Sequence, residues 1–366
     1  MSKFVVNRRQ AIIGMGAALM MSGVRTATAG DGDFAARLAE LLRSGRVVGL
    51  DALLVSCRGR LLFEHYGEGE AENWGRPLGR VTFGPTVLHD LRSVSKSIVS
   101  LLYGIALADG KVPPPEAGLY AQFPEFADLA REPGREGITI ADVLSMTMGL
   151  DWDELTYPYG DPRNSENRMA GAPDRYRYIL SLPIVGPPGV KWTYCGAATE
   201  LLGRLIAKGT GQTLVEYARQ ALFDPLGLGP TEWTVDDKGE PRAASGGRMR
   251  PPDLLRIGQL VLANGAWQGK QIVPADWLKR SMTPTVAIPG RGSYGWHWYL
   301  GELPVGTPRR PEPTISAIGW GGQRLYLVPA LDLAVVMMAG NYRLPIMEQG
   351  RIGNTLILDL VLPSLS

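Results

Sequence analysis

Ser93 stands three residues before Lys96 in the run Asp90-Leu91-Arg92-Ser93-Val94-Ser95-Lys96-Ser97. None of the other lysines in the chain has a serine three positions ahead of it. The pair falls where an extended segment gives way to an apolar helical stretch, 98–108. Positions i and i+3 share one face of a helix, so the hydroxyl and the amine can converge. An adjacent amine is one way to make a serine nucleophilic. Lysine becomes a base only when burial or a positive field pulls its pKa down from about 10.4. The first turn of a helix supplies such a field. Taken alone, the pattern also suits a surface helix opened by a capping serine.

Two further segments decide between these readings. Trp192-Thr193-Tyr194-Cys195-Gly196-Ala197 leads into a helical stretch, and Ile318-Gly319-Trp320-Gly321-Gly322-Gln323 leads into a strand. In this order, the three segments resemble the three motifs of the serine β-lactamase, penicillin-binding protein and esterase superfamily. Within it, they are most similar to the class C-like esterases and the 6-aminohexanoate-oligomer hydrolases. The likeness runs from Leu88 to Asn341.

The resemblance implies a nucleophile at Ser93, the first-motif lysine at Lys96 and the second-motif tyrosine at Tyr194. Trp320, Gly321 and Gly322 match the substrate-facing third motif. The implied oxyanion hole joins the backbone N–H groups of Ser93 and Gln323. Tyr194 would relay a proton to the leaving group if Lys96 depresses its pKa. Glycines at 321 and 322 would let a backbone approach the substrate carbonyl without a Cβ in the way. No cofactor and no metal are implied.

Two positions depart from the motifs. Gly196 stands where asparagine is usual, and Trp320 where a cation often reads a substrate carboxylate. Both argue against efficient β-lactam hydrolysis and against carboxypeptidase action on peptidoglycan. They favour a small-molecule carboxylic ester or a small linear amide. A penicillin-binding protein or β-lactamase, and a non-catalytic periplasmic binding module, are the competing readings.

These residues need a scaffold. Hydrophobic periodicity predicts a first helix at 33–42 and strands at 47–56 and 61–66, joined by a hairpin at Arg58-Gly59-Arg60. Helices follow at 140–146, 198–208, 214–222 and 252–263, between Pro/Gly-rich loops. Strands return at 294–300, 315–318, 324–328 and 331–339, with a hairpin turn at Pro329-Ala330, before a last helix at 346–360. The order predicts an α/β (α+β) protein, β-lactamase/transpeptidase-like, with an antiparallel sheet flanked by helices. The sheet domain would comprise 30–92 and 291–366, and a mainly helical inserted domain 93–290.

Residues 1–29 read as an export signal: Lys3, Arg8 and Arg9, then an apolar stretch, then a small-residue cleavage site at Ala27-Thr28-Ala29. Arg8-Arg9-Gln10 fits the twin-arginine type, making the twin-arginine export machinery a partner and the periplasm or exterior the destination. Asn7 and Ala11 depart from the usual residues of that signal, and an ordinary secretory signal is the alternative. The apolar stretch is too short to span a bilayer, which takes about 20 residues. Losing Lys3, Arg8, Arg9 and Arg25 takes the formal charge from +2 to −2. A near-neutral mature chain lacks the dense basic footprint of a nucleic-acid partner.

Other patterns read as structural. His65, His89 and His297 show no metal-ligand spacing. His297, between Trp296 and Trp298, reads as a strand edge or pocket rim. Gly290-Arg291-Gly292-Ser293-Tyr294-Gly295 precedes a strand and not a helix, so it reads as a loop and not a dinucleotide site. Asp151, Asp153 and Glu154 read as a solvated loop over the cleft. Arg248 and Arg250 read as ion-paired at a helix start, and Met146 and Met148 as core. Cys57 and Cys195 do not by themselves make a disulfide framework.

Overall fold

The structure is a computed structural model that describes residues 29–306 and 310–365. The expected export segment lies outside the described residues up to its last position, Ala29, where helix α1 (Ala29–Arg43) begins. Strands β1 (Leu50–Cys57) and β2 (Arg60–Tyr66) follow as a hairpin. The long middle of the chain carries helices α2 (Val94–Ala108), α3 (Gly196–Thr210) and α4 (Pro251–Leu262). Strands β3 (Val286–Ile288), β4 (Gly292–Tyr294), β5 (Tyr299–Val305), β6 (Arg310–Gly319), β7 (Gln323–Val328) and β8 (Leu333–Ala339) return to the sheet. Helix α5 (Ile346–Thr355) then continues as a wider turn over Leu356–Val361.

The main sheet is antiparallel, in the order β3-β4-β5-β6-β7-β8-β1-β2. Alternation of side chains along each strand divides its residues between two faces. Leu53, Val55, Val335 and Met337 meet Phe34, Leu38, Ile352 and Leu360 of the terminal helices. Ala52, Leu54, Leu325, Leu327 and Val336 face the other way, onto Ile98, Leu102, Leu254 and Ile257. Both faces are covered, which is why β8 is an unbroken apolar run and β1 carries one over 52–55. Helix α4, far from the strands in sequence, also packs on this sheet. Its Gly258 comes so close that a Cβ there would stand 2.7 Å from Leu325.

Helix α2 is buried from Val94 through Ala106. An all-round apolar helix is a core helix, and this one lies between the sheet and α3. Gly104 faces Trp277, whose ring would lie 2.2 Å from a Cβ at that position.

Several local expectations change. The predicted strand 294–300 is two strands, interrupted at 295–298. There His297 takes a left-handed φ of 65° and turns inward. It is buried, with Nδ1 2.8 Å from the Leu144 carbonyl and Nε2 2.9 Å from Thr199 Oγ1. Burial pulls its pKa down to about 3. It is a neutral core residue, not a pocket rim. The turn after β7 is a helical turn over Pro329–Leu331, not a two-residue hairpin. A hairpin over Glu68–Asn73 and Arg76–Thr82 escaped the sequence reading because it carries few apolar residues. Both cysteines are free.

Gly104→Ala tests the packing of α2. Alanine favours a helix by up to about 1 kcal/mol over glycine. Overpacking against Trp277 opposes this by about 1–3 kcal/mol. The expected outcome is a lower urea unfolding midpoint than wild type.

Candidate active site

Ser93 sits at the N-cap of α2, with no side-chain capping bond. The capping-serine reading therefore fails. The preceding Arg92 adopts φ 49°, an uncommon conformation for a bulky residue. It is held there by Glu72, by Asp90 at 3.3 Å and by the ring of Tyr342 at 4.9 Å. Gly319 at the end of β6 presses against the same turn. A Cβ there would meet the Leu91 carbonyl oxygen at 2.3 Å.

One turn into α2, Lys96 is 2% exposed. Its Nζ donates to Ser93 Oγ at 3.0 Å and to the Ala244 carbonyl at 3.0 Å. Tyr194 completes the group. Its phenol lines the same cavity as Ser93 and interacts with it, and Lys96 Nζ lies 5.1 Å from its ring centroid. Burial first, and the Glu154 carboxyl second, push the Tyr194 pKa well above the ordinary value. The relay expected of Tyr194 was conditional on Lys96 depressing that pKa. Low-dielectric surroundings disfavour a phenolate more strongly, so the resting group is a phenol.

A feature missed from the sequence lies under Tyr194. Glu154 and Glu166 form a buried carboxyl pair. Burial and the neighbouring Glu154 drive the Glu166 pKa well up, and Glu166 is hydrogen-bonded to Glu154. Glu154 in turn accepts from the Gly196 backbone N–H at 2.6 Å, Trp152 Nε1 at 3.0 Å and the Tyr159 hydroxyl at 3.0 Å. A Cβ at Gly196 would stand 3.0 Å from Glu166 Oε2 and 3.2 Å from Glu154 Oε2. The space into which a side chain at 196 would project is thus taken. Glu154 belonged to the acidic run expected in solvent. Instead, its partners bury it, and no spacing in the sequence announces Glu166.

Ser93, Tyr159, Trp192, Tyr194, Tyr299 and Trp320 line a cavity of about 230 Å³. The Trp320 ring packs edge-on against Tyr159, with centroids 5.4 Å apart, and its Nε1 donates to the Tyr342 carbonyl at 3.0 Å. Gly322 also lines the cavity. Gly321 does not; it turns the chain at φ 91° against Tyr342, and its N–H donates to Gln349.

Gln323 lies away from the cavity. It pairs with Gly319 in the β6–β7 ladder, is fully buried, and its side chain clamps both backbone groups of Ala339. The turn's free donors are instead the backbone N–H groups of Trp320 and Gly322. Like the N–H of Ser93, neither has an acceptor among the described residues. Cys195 is buried, and burial pushes its thiol pKa up, away from reactivity.

The sequence profile of the Beta-lactamase family matches residues 34–346. A 6-aminohexanoate-dimer hydrolase of Paenarthrobacter ureafaciens is 28% identical, across 83% of this chain and 76% of the relative. Esterase EstB of Burkholderia gladioli is 28% identical over 52% of this chain and 48% of its own. A solved structure from Bacillus anthracis, assigned provisionally as a 6-aminohexanoate-dimer hydrolase, superposes with a TM-score of 0.71. It is 21% identical, covering 88% of this chain and 80% of that one, a likeness of fold.

Glu166 binds its proton more tightly folded than unfolded. It therefore contributes stability that is full below its ordinary pKa of 4.5 and declines as pH rises towards the folded value. Glu166→Gln keeps a donor for Glu154 and removes the ionisation. Melting temperatures measured from pH 5 to pH 9 are expected to fall less steeply in this variant than in wild type.

Proposed function

This chain belongs to the Beta-lactamase family and is a serine hydrolase, and from that premise we propose that it cleaves a carboxylic ester or small linear amide through an acyl-enzyme on Ser93. The observation that carries the reading is the convergence of Ser93, Lys96 and Tyr194 on one cavity that also receives unused backbone donors from Ser93 and from the turn after β6.

In acylation, Ser93 Oγ attacks the substrate carbonyl carbon and its proton passes into the Lys96–Tyr194 pair. The N–H groups of Ser93 and Trp320 receive the oxyanion. Each such donor is worth about 10²–10³ in rate. Collapse of the intermediate expels the alcohol or amine, which takes the proton from the Tyr194 side. Water then repeats the sequence on the acyl-enzyme, returning Ser93 and releasing the acid. Assigning the second donor to Trp320 replaces Gln323, whose place is in the ladder.

The filled space beside Gly196 supports an ester or linear amide over a β-lactam, since no side-chain amide projects from that position to grip the substrate. The relatives are named for hydrolysis of a 6-aminohexanoate dimer and of esters, which supports the same class. The basic, apolar and small-residue order of residues 1–29 supports export by the twin-arginine route, to the periplasm or beyond. Amino-terminal sequencing of the periplasmic protein checks this, with a start at Gly30 expected.

Hydrolysis of p-nitrophenyl butyrate is expected, together with an acyl adduct on Ser93 visible by intact mass. Ser93→Ala should lose at least about 10³-fold in kcat. Lys96→Ala should slow single-turnover acylation by about 10²–10⁴-fold. Equal acylation by Lys96→Ala and wild type would refute the role given to the amine.

A further inference from the structure

Arg324 is a buried cation with no anion paired to it among the described residues. On β7 it points to the sheet face covered by α5, where Gly353 leaves it room. A Cβ there would lie 2.6 Å from Arg324 Nε. Arg135, Arg175 and Arg248 are also buried, and each holds a carboxylate. Arg324 forms no ion pair among the described residues, and its Nε has no hydrogen-bond partner. Its Nη2 makes only a long 3.5 Å contact to the Gly350 carbonyl.

A second guanidinium lies on the same side of Gly350 of α5. Arg291, exposed on the loop between β3 and β4, brings a terminal nitrogen to 3.9 Å from the Cβ position of Gly350. An Arg324 terminal nitrogen stands at the same distance. Arg291 is likewise unpaired among the described residues. Both arginines line the cavity that holds Ser93, and both line the larger groove of about 920 Å³ that adjoins it. Glu302 also borders that groove but is exposed and pairs with neither.

Two like charges brought together, one of them buried, are unfavourable without an anion between them. Burial, and Arg291 beside it, pull the Arg324 pKa down to about 10, which still leaves it charged at neutral pH. A planar guanidinium with free donors fits a carboxylate in bidentate fashion.

We propose that Arg324 and Arg291 form a carboxylate subsite of the active cavity, so that the preferred substrate is an ester or amide bearing a free carboxylate away from the scissile bond. The inference rests on the hydrolase reading above and names its substrate class. The cation that Trp320 lacks in the third motif is supplied from the strand and loop beside it.

The test compares matched substrates. Mono-p-nitrophenyl glutarate against p-nitrophenyl valerate places the carboxylate on the acyl side. 4-(Butyryloxy)benzoate against its methyl ester places it on the leaving group. A charge-assisted pair predicts a roughly ten- to hundredfold higher kcat/KM for the anionic member of at least one pair. Arg324→Gln should collapse that ratio towards one, and Arg291→Gln, at an exposed position where misfolding is not a concern, should lower it. Hydrolysis of the neutral esters with no anionic preference in either pair would overturn the subsite alone. So would a preference that survives both variants. Wild type inert towards all four esters would instead overturn the hydrolase reading, and the subsite with it.

Discussion

The 3.0 Å contact between Ser93 Oγ and Lys96 Nζ is the interaction to which the rest of the structure is subordinate. An ammonium or amine at 2% exposure is not placed cheaply. It is held there because α2 is buried on every side and cannot leave the core without exposing its apolar residues. The sheet, α3 and Trp277 fix the helix axis. Arg92, in its left-handed turn, fixes where the helix begins. Gly319 lets β6 reach that same turn, which brings a second backbone donor to the serine.

The carboxyl pair under Tyr194 explains a residue that looked like a loss. Gly196 replaces an asparagine of the related motif, yet the site is not left open. Glu154 takes the Gly196 N–H, and Glu166, its pKa raised by burial and by Glu154, packs against it. The pair braces the loop from inside, also holds Tyr159 and Trp152, and keeps the neighbouring phenol protonated. A polar cluster that is fully satisfied can fix a unique arrangement where an apolar filler would leave several.

How much of this was legible depended on distance along the chain. Ser93 and Lys96 are one turn apart, so helical periodicity sufficed. The core strands were legible because two covered faces leave continuous apolar runs at β1 and β8. Tyr194 and Trp320 were reached only through their resemblance to known motifs. Glu154 was visible but was read as solvated, because burial of an acid is decided by partners from elsewhere, here Gly196 and Glu166. The place of Gln323, expected as a donor, depends on partners in the same way. The register of the β6–β7 hairpin, which sequence does not display, puts it in the ladder and leaves Trp320 at the free turn. Nothing in the sequence separates Arg324 from other strand cations, because a missing counter-charge is a three-dimensional property.

The catalytic cavity draws on the start of α2, the loop at 154–166, the turn before α3 and the hairpin after β6. These segments lie far apart in the chain, and the hairpin arrives only when the last strands close the sheet. Contacts of such long sequence separation form late, because loop closure must precede them. Regain of turnover during refolding therefore reports completion of the whole molecule and lags behind the return of helical signal. A nascent chain still lacking β7 and β8 carries the reactive hydroxyl without the means to use it.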